Sequence, residues 1–385
     1  MNHDQYRMPV SDMTCEHCEA TVRRALEGAG AEDTHADFRR DEAIFTLPDY
    51  VSVDLLRDAV AAAGYRPGQP EPLVPRALHP VHPTDDADQY DYDLAIIGSG
   101  SAAFAAAIKA REQDARVIMI ERGTIGGTCV NIGCVPSKTL LRAAERFHQA
   151  GHHPFDGIET TARGVDYAAM VAQKDRLVSE MRSQKYANLI DEYGWEFVQG
   201  EARLLDPATL AVDDRTIRAG AYVIATGARP STPPIAGLDE AGYLTSTTAM
   251  ELDRLPASLV VIGAGYIALE QGQLFRHLGS DVTLLQRGAR LLPEYEPQIG
   301  EQVGKMLEHL GTRVLTGTHV QRVERTAAGR RLIVERDGQE EVLEAEQILV
   351  ATGRIPNAEA LNLAQAHVDV DARGAIVVDD TLQTT

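Results

Sequence analysis

The chain has 385 residues, 44% of them hydrophobic, and a formal charge of −20 at pH 7. Its length supports two or three domains with their own cores, while the acidic balance and the absence of any Lys/Arg cluster argue against nucleic acid as a partner. No stretch approaches the roughly 20 uninterrupted apolar residues of a membrane helix, and the N-terminus MNHDQYRMPV lacks an apolar secretory core; a cytoplasmic protein without membrane insertion is expected. Only four cysteines occur, as Cys15/Cys18 and Cys129/Cys134. That is too sparse for a secreted disulfide scaffold and reads as two sites of metal or redox chemistry.

From the N-terminus, alternating and helical apolar patterns predict a strand at 5–11, a helix at 16–28, strands at 31–38 and 42–47, a helix at 51–63 and a short strand near Tyr65, a split βαβ arrangement of α+β type. Met13-Thr14-Cys15-Glu16-His17-Cys18 falls where a loop runs into the first helix, a place where amide dipoles favour two thiolates. Two soft, adjacent ligands suit a soft metal that accepts linear coordination. A structural zinc would need about four ligands, and beyond His17 this module offers no further cysteine. Next, GQPEPLVPRALHPVHPTDDADQYD at 68–91 is rich in proline and acid with little apolar periodicity, as expected of an extended tether.

Beyond the tether, YDLAIIGSG at 92–100 is a hydrophobic strand running into a glycine turn, and SLVVIGAGY at 258–266 repeats the pattern. In the first copy Gly98 permits the tight turn, Gly100 lets a pyrophosphate approach the backbone, and the small Ala103 lets helix pack on strand. The following strand, ARVIMIE, ends in Glu121, 23 residues after Gly98, where a carboxylate can accept hydrogen bonds from a ribose hydroxyl pair. The second copy has Gly263, Gly265 and Ala268 in register, but its second strand, DVTLLQR, ends in Gln286 and Arg287. With no carboxylate to repel a 2′-phosphate, and with Arg287 and Arg290 to attract one, this unit is expected to hold NADPH rather than NADH.

GGTCVNIGCVPSK at 126–138 lies between the two units. Residues five apart on a regular helix are too far apart to be bridged by a disulfide, but Asn131 and Gly133 tolerate irregular backbone, so the segment could bring both sulfurs together as a redox pair. Two small buried side chains in a core segment are the alternative. Two dinucleotide sites beside a dithiol imply electron transfer from nicotinamide to flavin. Cys134 then lies against the flavin and Cys129 faces substrate, with Lys138 near the ring and Glu270, from GYIALE in the second unit, as its possible buried counter-charge.

GGTCVNIGCVPSK, the two glycine turns, ATGARP at 225–230 and ATGRIPN at 351–357 resemble the FAD-dependent pyridine nucleotide disulfide oxidoreductases over residues 92–385. The resemblance implies that the dithiol carries electrons from NADPH through FAD, that Lys138 and Glu270 pair near the flavin, that Ala202 in GEARLL places backbone at the adenine, and that Gly123 and Thr128 join the flavin-binding set. The N-terminal module, joining a CxxC to a split βαβ pattern, resembles the heavy-metal-associated domains that carry Cu(I) or Hg(II) through a pair such as Cys15 and Cys18. A soft-metal carrier tethered to a flavin disulfide reductase resembles the mercuric reductase branch. That implies Hg(II) as substrate, bound by Cys129 and Cys134 with Tyr186 nearby and released as Hg(0).

The expected fold is thus α/β: two Rossmann-like domains, for FAD and NADPH, preceded by a small ferredoxin-like βαββαβ metal-binding domain. The expected boundaries are 1–67 for the metal-binding domain, 68–91 for the linker, 92–230 for the FAD domain with the dithiol, 231–354 for the NADPH domain, and 355–385 for a return to the FAD domain. The family continues beyond DDTLQTT at 379–385 into a segment that builds a homodimer and completes its active sites, so a truncated chain is expected. Two other readings stand beside the first: a flavin-dependent reductase of an organic disulfide such as lipoamide or glutathione, and a metal-binding protein without turnover.

Overall fold

The computed structural model describes residues 5–14, 16–38, 40–48, 51–72, 90–153 and 155–385. The chain divides into two compact units, residues 1–84 and 85–385. In the smaller unit β1 (Gln5–Ser11), α1 (Glu16–Gly28), β2 (Glu32–Asp37), β3 (Glu42–Thr46), α2 (Val53–Ala62) and β4 (Arg66–Pro67) follow one another. The sheet order is β2-β3-β1-β4, with β1 antiparallel to both its neighbours. Period-2 alternation turns Met8 and Val10 of β1, and Ala43 and Phe45 of β3, onto one face; helical spacing brings Val22 and Leu26 of α1 and Leu56 and Val60 of α2 to cover it. Helix α2 begins at Val53 rather than at 51 because Ser52 caps it, its side chain accepting from Leu55 N. Within the run expected as a tether, β5 (Glu71–Pro72) pairs with β1, an edge position that tolerates proline. Residues 73–89 of that segment lie outside the described residues.

The larger unit opens with β6 (Tyr92–Ile97), α3 (Ser101–Arg111) and β7 (Val117–Glu121), and adds β8 (Glu196–Gln199), β9 (Ala202–Asp206), β10 (Thr209–Val212) and β11 (Arg215–Ile224) in a sheet of order β8-β7-β6-β11-β10-β9. Strands β6, β7, β8 and β11 run parallel, whereas β9 and β10 form an antiparallel meander on β11. Strand β7 is buried on both faces from Val117 to Ile120, as a parallel sheet demands. A second parallel sheet has the order Arg313–Leu315, Asp281–Leu285, Ser258–Ile262, Gln347–Val350. The chain enters and leaves this second part side by side, Ala228–Pro230 pairing with Arg354–Pro356.

Between β7 and β8 lie α4 (Gly127–Asn131), α5 (Cys134–Gln149) and α6 (Tyr167–Arg182), followed by a π-helical turn at Ser183–Ala187 and α7 (Asn188–Tyr193). Leu140 and Ala144 of α5 share a core with Leu274, Phe275 and Leu278 of the helix Tyr266–Leu278. That packing fixes the dithiol helix against the second nucleotide-binding turn.

Candidate functional site

Both glycine turns are built alike. Gly98 has φ of 110° and Gly263 of 126°, values an L side chain resists, and a Cβ at either would lie 2.3 Å from a carbonyl oxygen, of Ala225 and Ala351 respectively. The two ATG segments therefore form the floor beneath the first glycine of each turn. Gly98 N donates to Ile120 O at 2.7 Å and Gly263 N to Leu285 O at 2.9 Å, tying each turn to the next strand. Ala103 and Ala268 are fully buried at the helix–strand contact.

The first turn opens on a cavity of about 270 Å³ whose wall includes Gly98, Gly100, Glu121, Thr128, Cys129, Ala202 and Asn357. Glu121 accepts from Ser99 Oγ at 2.7 Å and from Gly123 N at 2.6 Å; a carboxylate has about four acceptor sites, so two remain for a ribose. Ser99 and Asn357 did not stand out in the sequence. Ser99 is buried and orients Glu121, while Asn357 donates from its side chain to Thr226 O at 3.0 Å and from its backbone to Gly227 O at 2.9 Å, pinning one ATG floor from the other end of the second part.

The second turn opens on a cavity of about 700 Å³ lined by Gly263, Gly265, Tyr266, Gln286, Arg287 and Arg354 among others. Arg287 is exposed on its wall. Arg290, expected beside it, instead donates to Pro293 O at 2.6 Å, and its own carbonyl accepts from Gln286 Nε2 at 3.2 Å.

The segment joining the two cysteines breaks as irregular backbone should. Helix α4 ends at Asn131, and α5 starts afresh at Cys134 after Ile132 and Gly133. A Cβ at Gly133 would lie 2.8 Å from Thr128 O, so no other residue closes the turn this tightly. The break sets the two thiols close enough to influence one another: burial, followed by the interaction with Cys134, raises the Cys129 thiol above its ordinary value. Cys129 is half-buried and Cys134 exposed. Lys138, one turn into α5, donates to Glu270 Oε1 at 2.5 Å. The pair is not the buried one expected: the two side chains keep 56% and 36% of their exposure.

Tyr186 lies in the π-helical turn Ser183–Ala187. Its ring meets Phe104 edge-on at 4.9 Å and its hydroxyl is 3.2 Å from Ser101 Oγ. A Cβ added at Gly126 would lie 3.3 Å from that ring, so Tyr186 is held against the loop that leads into the dithiol. In the smaller unit Cys18 is half-buried, its Sγ 3.7 Å from Thr14 Oγ1; Cys15 lies outside the described residues. Among the described residues no helix is long and apolar enough to cross a membrane.

The profile of the family described as pyridine nucleotide-disulphide oxidoreductase matches residues 92–385, the span that contains both turns, both ATG floors and the dithiol. The chain belongs to the pyridine nucleotide-disulphide oxidoreductases. Similar members of this oxidoreductase family include mercuric reductases from Bacillus cereus, 50% identical over 99% of this chain, and from Staphylococcus aureus, 47% identical over all of it. The chain spans 60% and 69% of the length of those two relatives. Among solved structures, the HOCl-induced flavoprotein disulfide reductase RclA from Escherichia coli superposes with a TM-score of 0.67 at 29% identity, covering 76% of this chain and 64% of that one.

Proposed function

We propose that this chain carries the chemistry of a mercury(II) reductase, in which NADPH is oxidised and Hg(II) leaves as Hg(0) after taking up two electrons. The observation that carries the reading is the approach of Cys129, on the wall of the first cavity, and Cys134 across the Gly133 break, in a chain similar along its whole length to mercuric reductases. The residues around the first turn fit FAD: Gly98 and Gly100 give the pyrophosphate access to backbone, the free acceptor sites of Glu121 suit a ribose, and Gly123, Thr128 and Ala202 complete the cradle. Gly263, Gly265, Ala268 and Arg287 suit NADPH at the larger cavity. FAD, when bound, supplies the two-electron relay between a nicotinamide hydride and the sulfurs. Cys129 and Cys134 act as the redox pair and then as two soft ligands for Hg(II), Tyr186 closes the metal's side of the site, and Lys138, anchored by Glu270, holds positive charge at the cleft.

In the same reading residues 1–67 form a ferredoxin-like metal-binding domain that takes a soft ion through Cys15 and Cys18, supported by the sheet order β2-β3-β1-β4. Residues 68–91 tether it to an FAD domain at 92–230, an NADPH domain at 231–354 and a return segment at 355–385; the pairing of Ala228–Pro230 with Arg354–Pro356 supports the latter two boundaries. A cytoplasmic location and a homodimer in the full-length form belong to the reading through the family.

One observation favours a second reading, a reductase of organic disulfides: the similar Escherichia coli structure is named a flavoprotein disulfide reductase. The test is NADPH consumption by the FAD-loaded chain. Oxidation that depends on Hg(II) and releases elemental mercury vapour supports the first reading. Oxidation driven by lipoamide or glutathione disulfide and not by Hg(II) supports the second, and Hg(II) binding without NADPH consumption reduces the chain to a metal binder.

A further inference from the structure

Helix α4 holds Cys129 in only five residues, too short to maintain itself against the cost of nucleation. Something outside its own hydrogen bonds must set where this sulfur lies. The Asn131 side chain is that something: Nδ2 donates to Ile125 O at 2.9 Å and Gly127 O at 3.0 Å, with Thr124 O at 3.4 Å, so the amide closes the loop that feeds α4 onto the end of α4 itself. Its remaining group, Oδ1, accepts from Arg182 Nη1 at 3.1 Å. Arg182 is the last residue of α6, and the π-helical turn bearing Tyr186 begins at the next residue. Such turns are rare and frequently mark functional sites. The Tyr186 ring meanwhile rests on Gly126, in the loop that Asn131 closes.

We infer that Asn131 and Arg182 form a positioning pair that sets Cys129 against Cys134 and ties the dithiol turn to the Tyr186 segment. Neither touches the reacting sulfurs through its polar atoms; each acts through the turn it holds. The inference rests on reading Cys129 and Cys134 as a redox pair. Releasing the clamp lets α4 fray and lowers the effective concentration of one sulfur at the other, so the disulfide forms less readily while the fold persists.

The test equilibrates the 385-residue chain with mixtures of glutathione and glutathione disulfide, traps free thiols by alkylation and quantifies the Cys129–Cys134 peptide by mass spectrometry, which separates it from Cys15 and Cys18. In the reaction the glutathione S–S bond breaks, the protein S–S bond forms, and two glutathione thiols carry off two electrons and two protons. Arg182→Met and Asn131→Ala should each lower the equilibrium constant for disulfide formation about tenfold, a shift of about 30 mV towards a less reducing couple. Asn131→Asp keeps an acceptor for Arg182 but sets a carboxylate against carbonyl oxygens, and should lose as much as Asn131→Ala. Arg182→Lys keeps a donor and should stay within about threefold of the parent, and the Asn131→Ala/Arg182→Met double variant should lose no more than the worse single one. Unchanged constants in Arg182→Met and Asn131→Ala, or fully additive losses in the double variant, overturn the pairing. A parent chain that forms no Cys129–Cys134 disulfide at any glutathione ratio instead overturns the redox reading, and this inference with it.

Discussion

Lys138, one turn below Cys134 on α5, reaches 2.5 Å from Glu270 on the helix Tyr266–Leu278 of the second nucleotide-binding part. Pairs this exposed contribute about 0–1 kcal/mol to stability. Stability therefore does not account for the pair, which ties the helix headed by Cys134 to the helix that follows the second glycine turn. Glu270→Gln and Lys138→Met should change the melting temperature by no more than a few degrees while reducing NADPH-driven turnover of the FAD-loaded enzyme at least about tenfold. Turnover that survives both changes would make the pair a surface ornament.

Arg287 stands on the wall of the 700 Å³ cavity, one residue beyond Gln286, which takes the place of the first turn's carboxylate. A charge-assisted bond to a 2′-phosphate is worth about 1.5–3 kcal/mol. NADPH should accordingly bind about tenfold to a hundredfold more tightly than NADH, and Arg287→Glu should erase the difference. Because Arg290 is turned back onto Pro293 O, Arg290→Ala should cost less discrimination than the change at Arg287. Titrating both nucleotides against the three proteins checks this, and equal affinities in the parent chain refute the assignment.

Three imidazoles stack where α5 meets the helix Tyr266–Leu278: His148 lies 4.4 Å from His152 and 4.3 Å from His277, with nearly parallel rings. Burial first, then the neighbouring His148, pushes His277 down to about 4, against a partial counter-effect from Glu145; burial, His152 and Arg276 push His148 down as well. The unfolded chain binds its proton near pH 6.5, so the stability held by a neutral His277 is present above that pH and lost as pH falls through 6.5 towards 4. The loss amounts to at most about 3 kcal/mol, reduced by water at the open side of the stack. Melting temperatures measured across this window should fall in the parent chain and fall less in His277→Gln. Parallel slopes would show that the stack does not govern acid stability.

How much could be read from the sequence follows from what each residue is asked to do. Gly98 and Gly263 announced themselves because a positive φ and a carbonyl 2.3 Å from any Cβ leave no other residue possible. The interruption between Cys129 and Cys134 was foreshadowed by Gly133, where a Cβ would meet Thr128 O, whereas Asn131 keeps helical backbone and acts through its side chain. The π-helical turn at Ser183–Ala187 was invisible, since SQKYA is ordinary helical sequence and the wider turn arises from packing Tyr186 on Phe104 and Gly126. Strand β5 hid inside a proline-rich run because pairing on a sheet edge needs few backbone donors. The direction of the Arg290 side chain is a rotamer choice, which no spacing encodes.

The Gly133 break gives the two sulfurs unlike surroundings: Cys129 is half-buried in α4 on the wall of the 270 Å³ cavity, while Cys134 is exposed at the head of the sixteen-residue α5. A cavity of that size is at the lower limit for a small ligand and encloses only part of a dinucleotide, so its lining does not rank the sulfurs by distance from the ring. The roles are distinguished spectroscopically. If Cys134 touches the flavin and Cys129 faces Hg(II), two-electron reduction of the FAD-loaded protein should produce a long-wavelength thiolate-to-flavin absorbance. Cys129→Ser leaves the flavin-side thiolate in place and should keep that absorbance, whereas Cys134→Ser should abolish it. Both variants should lose NADPH-driven Hg(II) reduction, because a single sulfur can neither close the disulfide nor supply two soft ligands to the metal. FAD content measured in each sample ensures that lost absorbance reports the sulfur and not an empty cradle. A flavin-loaded Cys134→Ser protein that retains the absorbance, with Cys129→Ser losing it, would exchange the two roles.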